Sequence, residues 1–279
     1  MAETLSLPGF VDAHSHGFQR ALRGRAGGAD FWGWREVMLA EAERQTPELV
    51  RREYVQVYRE LRAAGYTAVG EFHYLGFDEA LAAVAAAQEA ELRIVVMLAA
   101  YGRGGLPRFR QASVAEYLKQ IDDLRPIELL DACGCLGPRT TVVHATHADG
   151  HELDLLAAAG ARVCACPTTE ANLGDGFLPV ERIRTRGIAL CIGSDSNVRI
   201  DPLEELRELE GIARRQTGRR NVIPSETLLG FGADEGAASL ALETWDDIQV
   251  DLSHPSLRGV EDVLEGLVSG CGADVFLEA

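Results

Sequence analysis

Apolar and polar positions along this chain follow two alternating periods. Six short runs are apolar on both faces and rich in β-branched residues: GFVDAH from Gly9, YTAVGEF from Tyr66, RIVVMLAA from Arg93, TTVVHAT from Thr140, ARVCACP from Ala161 and IALCIGSD from Ile188. Strands of a parallel sheet, covered on both sides, read this way. Stretches with helical spacing lie between them. PELVRREYVQVYRELRAAG follows Thr46, a suitable N-cap, with Pro47 at the first helical position and Gly65 at the far end. DEALAAVAAAQEAE from Asp78 and DGHELDLLAAAG from Asp149 follow the same plan. Strand alternating with helix predicts an α/β protein with a parallel sheet.

Polar residues gather where the strands end: His14 and His16, Glu71 to Tyr74, His144 and His147, Thr168 to Glu170, and Ser194 to Ser196. A (β/α)8 TIM-like barrel keeps its active site at the C-terminal ends of its strands. Such a barrel is therefore the expected fold, assigned to residues 7–244, with 245–279 as a C-terminal tail. An open doubly wound sheet is the alternative, but no GxGxxG follows a first strand. The barrel is incomplete, since six strands are found where eight are needed. Between RIVVMLAA and TTVVHAT there is only the loop YGRGGLPRFR and one helical tract, SVAEYLKQIDDLRPIELLDACG. One βαβ unit takes ~30 residues or more, so two βα units are missing, with the seam expected between Gln120 and Pro126.

Composition narrows the function more than the fold. The 279 residues are 47% hydrophobic and carry a formal net charge of −16, which argues against nucleic acid and anionic membrane as partners. A small-molecule substrate is the expected partner, and a homodimer is compatible with the reading. No apolar run is long enough to span a membrane, and MAETLSLPGF has no signal-peptide pattern, so a cytoplasmic location is expected. Cys133 with Cys135 and Cys164 with Cys166 have CxC spacing, whereas zinc modules favour CxxC. They read as buried, small, reduced side chains.

The candidate chemistry lies in four groups. His14 and His16, at i and i+2 of a strand, point to one face and can share a metal ion. Asp195, directly after the buried run IALCIG and a turn-forming Gly193, needs a partner, and a cation is the obvious one. Two histidines and a carboxylate suit zinc with a fourth position open to water, and another divalent metal such as Fe2+ is compatible. A carboxylate beside that water could take its proton, and His144, ending another strand, could bond the water or the substrate. Each group alone reads equally as a hydrogen-bonded polar residue at a strand end. Together they point to a metal site.

PGFVDAHSHGFQRAL, VHATH, CPTTEANLGDG and GSDS resemble the metal-dependent amidohydrolase superfamily. FWGWRE and GEFHY, with FQRAL so close to HxH, are similar to its N-formimino-L-glutamate deiminase branch, over nearly the whole chain from Leu7 to Asp251. The resemblance implies that His14, His16 and Asp195 bind one zinc ion and that His144 assists the attacking water. It implies that Gln19, Arg35 and Tyr74 hold an anionic amidine, Arg35 by a bidentate fork on a carboxylate. Without it, Arg35 reads as a solvated helix-start residue.

Three departures qualify the resemblance. The fourth and fifth strands of the family end in a substrate-binding arginine and in an HxHxxE segment, which supplies a third zinc histidine and a proton-shuttling glutamate. Neither segment occurs here, and these are the two units absent from the strand count. The family's small β-sandwich, built from both chain ends, is at most a remnant. Asn197 stands after GSDS where some members have histidine.

Either the sequence is part of a protein that has the two units, or the chain lacks them. The first is favoured, because a barrel short of them exposes two open edges. Three functions follow: formiminoglutamate deimination in histidine degradation, deamination of another amidine or aminated heterocycle, and a non-catalytic remnant without its proton shuttle. The roles of His73, His147 and His151 stay open.

Overall fold

The computed structural model describes residues 3–25, 27–99, 106, 126–132 and 134–277. The expected seam therefore lies outside the described residues, apart from Pro126. The described strands are β1 (Thr4–Pro8), β2 (Phe10–Ser15), β3 (Tyr66–His73), β4 (Arg93–Leu98), β5 (Thr141–Val143), β6 (Arg162–Ala165), β7 (Ala189–Ile192), β8 (Asp247–Asp251) and β9 (Phe276–Leu277). All six runs expected as strands contain one. They form two parallel three-stranded sheets, ordered β2-β3-β4 and β5-β6-β7.

The two sheets meet at β2 and β7 through a parallel bridge between Ser15 and Asp195. Asp195 N donates to His14 O and His16 N donates to Asp195 O, both at 2.8 Å. The strands thus follow one another as β4-β3-β2-β7-β6-β5. This is the wall of the expected barrel, open among the described residues between β4 and β5. The ladder between β2 and β7 is short because a side chain replaces backbone: Ser194 N donates to Asp12 Oδ1 at 2.9 Å. Gly193, expected to form a turn, serves instead for close approach. A Cβ there would lie 2.7 Å from His14 O and 2.9 Å from His14 N.

Helices cover the outside of the wall. The helix Pro47–Ala63 starts with Thr46 Oγ1 accepting from Leu49 N at 3.3 Å, and ends at Ala64 with Gly65 beyond it at φ +94. It buries Val50, Tyr54, Val57, Tyr58 and Leu61, which share one face at helical spacing, and packs on the helix Phe77–Glu89. Each such side chain contributes about 1.5–3 kcal/mol by leaving water. The helix Gly150–Ala159 has a reciprocal capping box between Asp149 and Glu152 and ends at Gly160 in the left-handed region. These three helices follow the sequence pattern. Of the long tract before Thr140, only Pro126–Ala132 is a described helix.

Both ends of the chain build a separate antiparallel sheet, β1-β8-β9, with Leu7 opposite Ile248 and Val250 opposite Phe276. Phe276 joins it to the barrel by an edge-on contact with Phe10 of β2, ring centroids 5.7 Å apart. Among the described residues, no helix is long and apolar enough to cross a membrane.

Candidate metal centre

β2 ends by turning His14 and His16 to the same side, with ring centroids 4.9 Å apart. β7 ends one bridge away and brings in Asp195. Its Oδ1 lies 3.6 Å from His14 Nε2 and 3.4 Å from His16 Nε2. All three residues are buried, and their ligand atoms fall within 4.8 Å of one another. Two donors each ~2.0–2.2 Å from one tetrahedral ion stand roughly 3.3–3.6 Å apart, so the spacing fits a shared ion. His16 Nδ1 lies 3.0 Å from Phe72 O, which accepts its proton and leaves the Nε2 lone pair facing Asp195. A backbone carbonyl is a usual outer partner of a ligating histidine.

The electrostatics of the cluster favour a cation. Burial holds His14 well below the usual imidazole range, and the neighbouring His16 and His144 push it the same way. Burial also lowers His16, although Asp195 and the Phe72 carbonyl oppose it. Neutral imidazoles beside a carboxylate are what a divalent ion requires.

His144 stands at the end of β5, with Nε2 3.8 Å from Asp195 Oδ2 and Nδ1 3.3 Å from Glu170 Oε1. Burial lowers its pKa, but the Glu170 hydrogen bond and the charges of Asp195 and Glu170 outweigh that and leave it raised. His144 and Asp195 both have left-handed backbones, at φ +68 and +46. Non-glycine residues held this way cluster at functional sites.

The three residues expected to hold substrate separate into two groups. Gln19, in the 3-10 turn Gly17–Leu22, donates from Nε2 to the Tyr74 hydroxyl at 3.1 Å, and the Tyr74 ring lies 5.3 Å from that of His16. Arg35, in the helix Phe31–Arg44, has its ion pair with Glu36 at 3.6 Å. The same helix reaches the other two through Met38, whose Sδ lies 3.7 Å from the Tyr74 hydroxyl. His73 turns to the other face of β3, where its ring centroid lies 6.5 Å from that of Tyr54. His147 is exposed, 3.9 Å from Asp175, and His151 is exposed at a helix start. Cys164, Cys166 and Cys191 are buried free thiols packed with Ala13, whereas Cys135, expected to be buried, is exposed.

Two buried acids have no assigned role in the sequence, where Glu71 appears only among the polar residues that end their strand and Asp12 not at all. Asp12 accepts from Ser194 N and Ser194 Oγ, and burial pushes its pKa up to about 7. Glu71 accepts from Gly17 N at 3.0 Å and Tyr58 OH at 3.2 Å, and burial pushes it up to about 8. Each stands alone in an otherwise apolar strand run, FVDAH and AVGEF. That was the available signal, because a buried acid in a strand has to be bonded to something.

Fold and cluster together define a class. The sequence matches the amidohydrolase family over residues 5–122 and 75–229, and the chain belongs to that family. It is 32% identical over 298 residues to a formimidoylglutamate deiminase of Pseudomonas aeruginosa, covering 77% of this chain and 66% of that protein. A 5-methylthioadenosine/S-adenosylhomocysteine deaminase of Halobacterium salinarum is 30% identical over 163 residues, 54% of this chain and 38% of that protein. The chain thus spans less than two thirds of the length of either relative. A 298-residue alignment that takes up only 77% of this chain also means that the Pseudomonas protein has sequence inside the aligned span with no counterpart here.

Among solved structures, an amidohydrolase from Brucella melitensis superposes with a TM-score of 0.84 at 25% identity, covering 97% of this chain and 84% of that one. A zinc-bound adenosine deaminase from Xanthomonas campestris gives 0.86 at 20% identity, over 98% of this chain and 78% of that one, and shows the fold alone.

Proposed function

We propose that this site is built for the hydrolytic deimination of N-formimino-L-glutamate to N-formyl-L-glutamate and ammonia, a step of histidine degradation. The observation that carries the reading is the convergence of His14, His16 and Asp195 with His144 beside them, in a chain similar to a formimidoylglutamate deiminase. His14, His16 and Asp195 would hold one zinc ion, and Fe2+ also suits these donors. A zinc ion bound there lowers the pKa of water towards neutrality.

The remaining work falls to the chain. Water adds to the formimino carbon, the carbon–nitrogen bond breaks and ammonia leaves. Asp195 and His144 are placed to accept the proton the water gives up. The linked pair Gln19 and Tyr74 offers an amide and a phenol to the glutamate portion, and Arg35, once turned from Glu36, offers a fork to a carboxylate. The family resemblance assigns proton delivery to the departing nitrogen to the glutamate of HxHxxE, which the 279 residues do not contain.

The adenosine-type deaminases among the relatives support a second reading, an aminated heterocycle as substrate. A dicarboxylate needs a cationic clamp and a flat ring does not, so Arg35 separates the two. Ammonia release is measured with formiminoglutamate and with 5-methylthioadenosine, using a chain that carries the HxHxxE segment. Turnover of the first, reduced by Arg35→Ala mainly through KM, is expected. Turnover of the second alone transfers the site to the heterocycle reading, and absence of bound metal sinks both.

A further inference from the structure

We propose that Glu170 is the positioning residue of His144. It fixes the ring so that Nδ1 carries the proton and a bare Nε2 faces Asp195, which makes His144 a proton acceptor at the site. The inference rests on His144 acting there, as proposed above.

The two ring nitrogens have different surroundings. Nδ1 is 3.3 Å from Glu170 Oε1, and Nε2 is 3.8 Å from Asp195 Oδ2. An ionised carboxylate only accepts, so the hydrogen in the shorter contact belongs to Nδ1, and the neutral ring keeps its lone pair on Nε2. The same logic orients the base in a nucleophile–base–carboxylate triad. The backbone of His144 is held as well, its N–H donating to Cys164 O at 2.9 Å.

Glu170 is held as firmly as the ring it orients. It is 2% exposed, in the short helix Pro167–Leu173 after β6, and Oε1 also accepts from Cys166 N at 2.9 Å. The two residues before it are fixed separately. Thr168 donates from N, at 3.0 Å, and from Oγ1 to the buried Glu205. Thr169 Oγ1 donates to Ser194 O at 3.2 Å and lies 3.0 Å from Ser196 Oγ, next to Asp195. The run TTE thus ties one turn to a buried acid, to the Asp195 loop and to His144.

Glu170 Oε2 is buried with no hydrogen-bond partner among the described residues. A half-satisfied buried carboxylate is costly. Packing alone does not call for it here, whereas orientation of an imidazole does.

The test reads the tautomer directly. Long-range proton–nitrogen spectra of the histidine-labelled chain, apo and with zinc, are taken at alkaline pH, with His144 assigned by the signals lost in His144→Ala. The Nδ1–H form is expected in the parent and in Glu170→Gln, whose amide oxygen still accepts. In Glu170→Ala the ring should pass mainly to the Nε2–H form. Zinc affinity in that variant should fall less than the roughly tenfold typical of a lost partner of a metal ligand. An Nε2–H ring in the parent or in Glu170→Gln overturns the proposal even if Glu170→Ala does not fold, as does an unchanged spectrum in Glu170→Ala. The expected tautomer in a chain that takes up no zinc supports the positioning role and removes the metal reading instead.

Discussion

Asn197 shows how much a single side chain organises. From the left-handed region, at φ +55, its Nδ2 reaches Ser15 Oγ at 3.0 Å, Asp195 O at 3.1 Å and His16 O at 3.2 Å, and its Oδ1 lies 2.9 Å from Ser194 Oγ. It therefore pins the histidine strand and the carboxylate loop to each other, a role the GSDSN sequence does not reveal. Asn197→Ala should leave the fold standing and weaken zinc binding by about 10–100-fold, as losing an outer-shell partner does, measured by competition with a chelator. Unchanged affinity would mean that Asp195 is fixed by other bonds.

Glu71 governs pH dependence at the same scale. Its folded pKa is raised from the usual 4.5 to about 8, so the folded chain retains a proton that the unfolded chain has released. Its contribution to stability should fall as pH rises between those values and level off above, by at most about 1.4 kcal/mol per pH unit. Asp12, raised to about 7, adds a slope of the same sign, so the check is the difference between the parent and Glu71→Gln in urea unfolding across the range, with the variant's curve the shallower. Equal slopes in the two would refute the assignment.

At the scale of elements, Gly193 marks the close approach of β7 to β2. Any side chain there meets the His14 backbone, which cannot move without opening the join between β2 and β7. Gly193→Ala should cost about 2–3 kcal/mol or more and weaken zinc binding together with stability, read by urea unfolding and metal titration of the same sample. Full metal affinity in a destabilised variant would show that the join and the site are separable.

Individual strands and helix ends were legible because their signals are local: apolar runs, Thr46 before Pro47, Asp149 before Glu152. The HxH pair and Asp195 were legible as acids and bases placed after apolar runs. The union of β2 with β7 was not, since neither run encodes its partner. The use of Gly193 was misread for the same reason, because close approach across the sheet leaves no local mark. Arg35 rested on resemblance alone, and its side chain sits against Glu36.

In the whole molecule, β4 and β5 each have a ladder partner on one side only among the described residues. The two units the family places between the third and sixth barrel strands are the ones missing from the sequence, together with HxHxxE. A positioned acid or base is worth ~10²–10⁴ in rate. The chain as written should therefore bind zinc weakly and release almost no ammonia, while a chain with both units restored should be active. In that chain His144→Ala should lower kcat more than it disturbs zinc content. Full activity of the 279-residue chain would transfer proton delivery to another acid.

Because the proposed ligands come from both sheets, a metal bound by them should also hold the molecule together. Zinc at a hundred times its Kd adds ~2.7 kcal/mol, so chelation should lower Tm by about 5 °C or more, and by nothing in Asp195→Asn.

The bridge between Ser15 and Asp195 also sets a schedule. Contacts there join residues 182 apart in the chain, as between Ser15 and Asn197. At a synthesis rate of about 5–20 residues per second, the histidine pair leaves the ribosome roughly ten to forty seconds before its carboxylate exists. During that interval β2 can pair with β3, and β3 with β4, but the other edge of β2 is exposed to any strand that arrives first. The nascent chain is most open to misassembly at the strand that carries the candidate metal ligands.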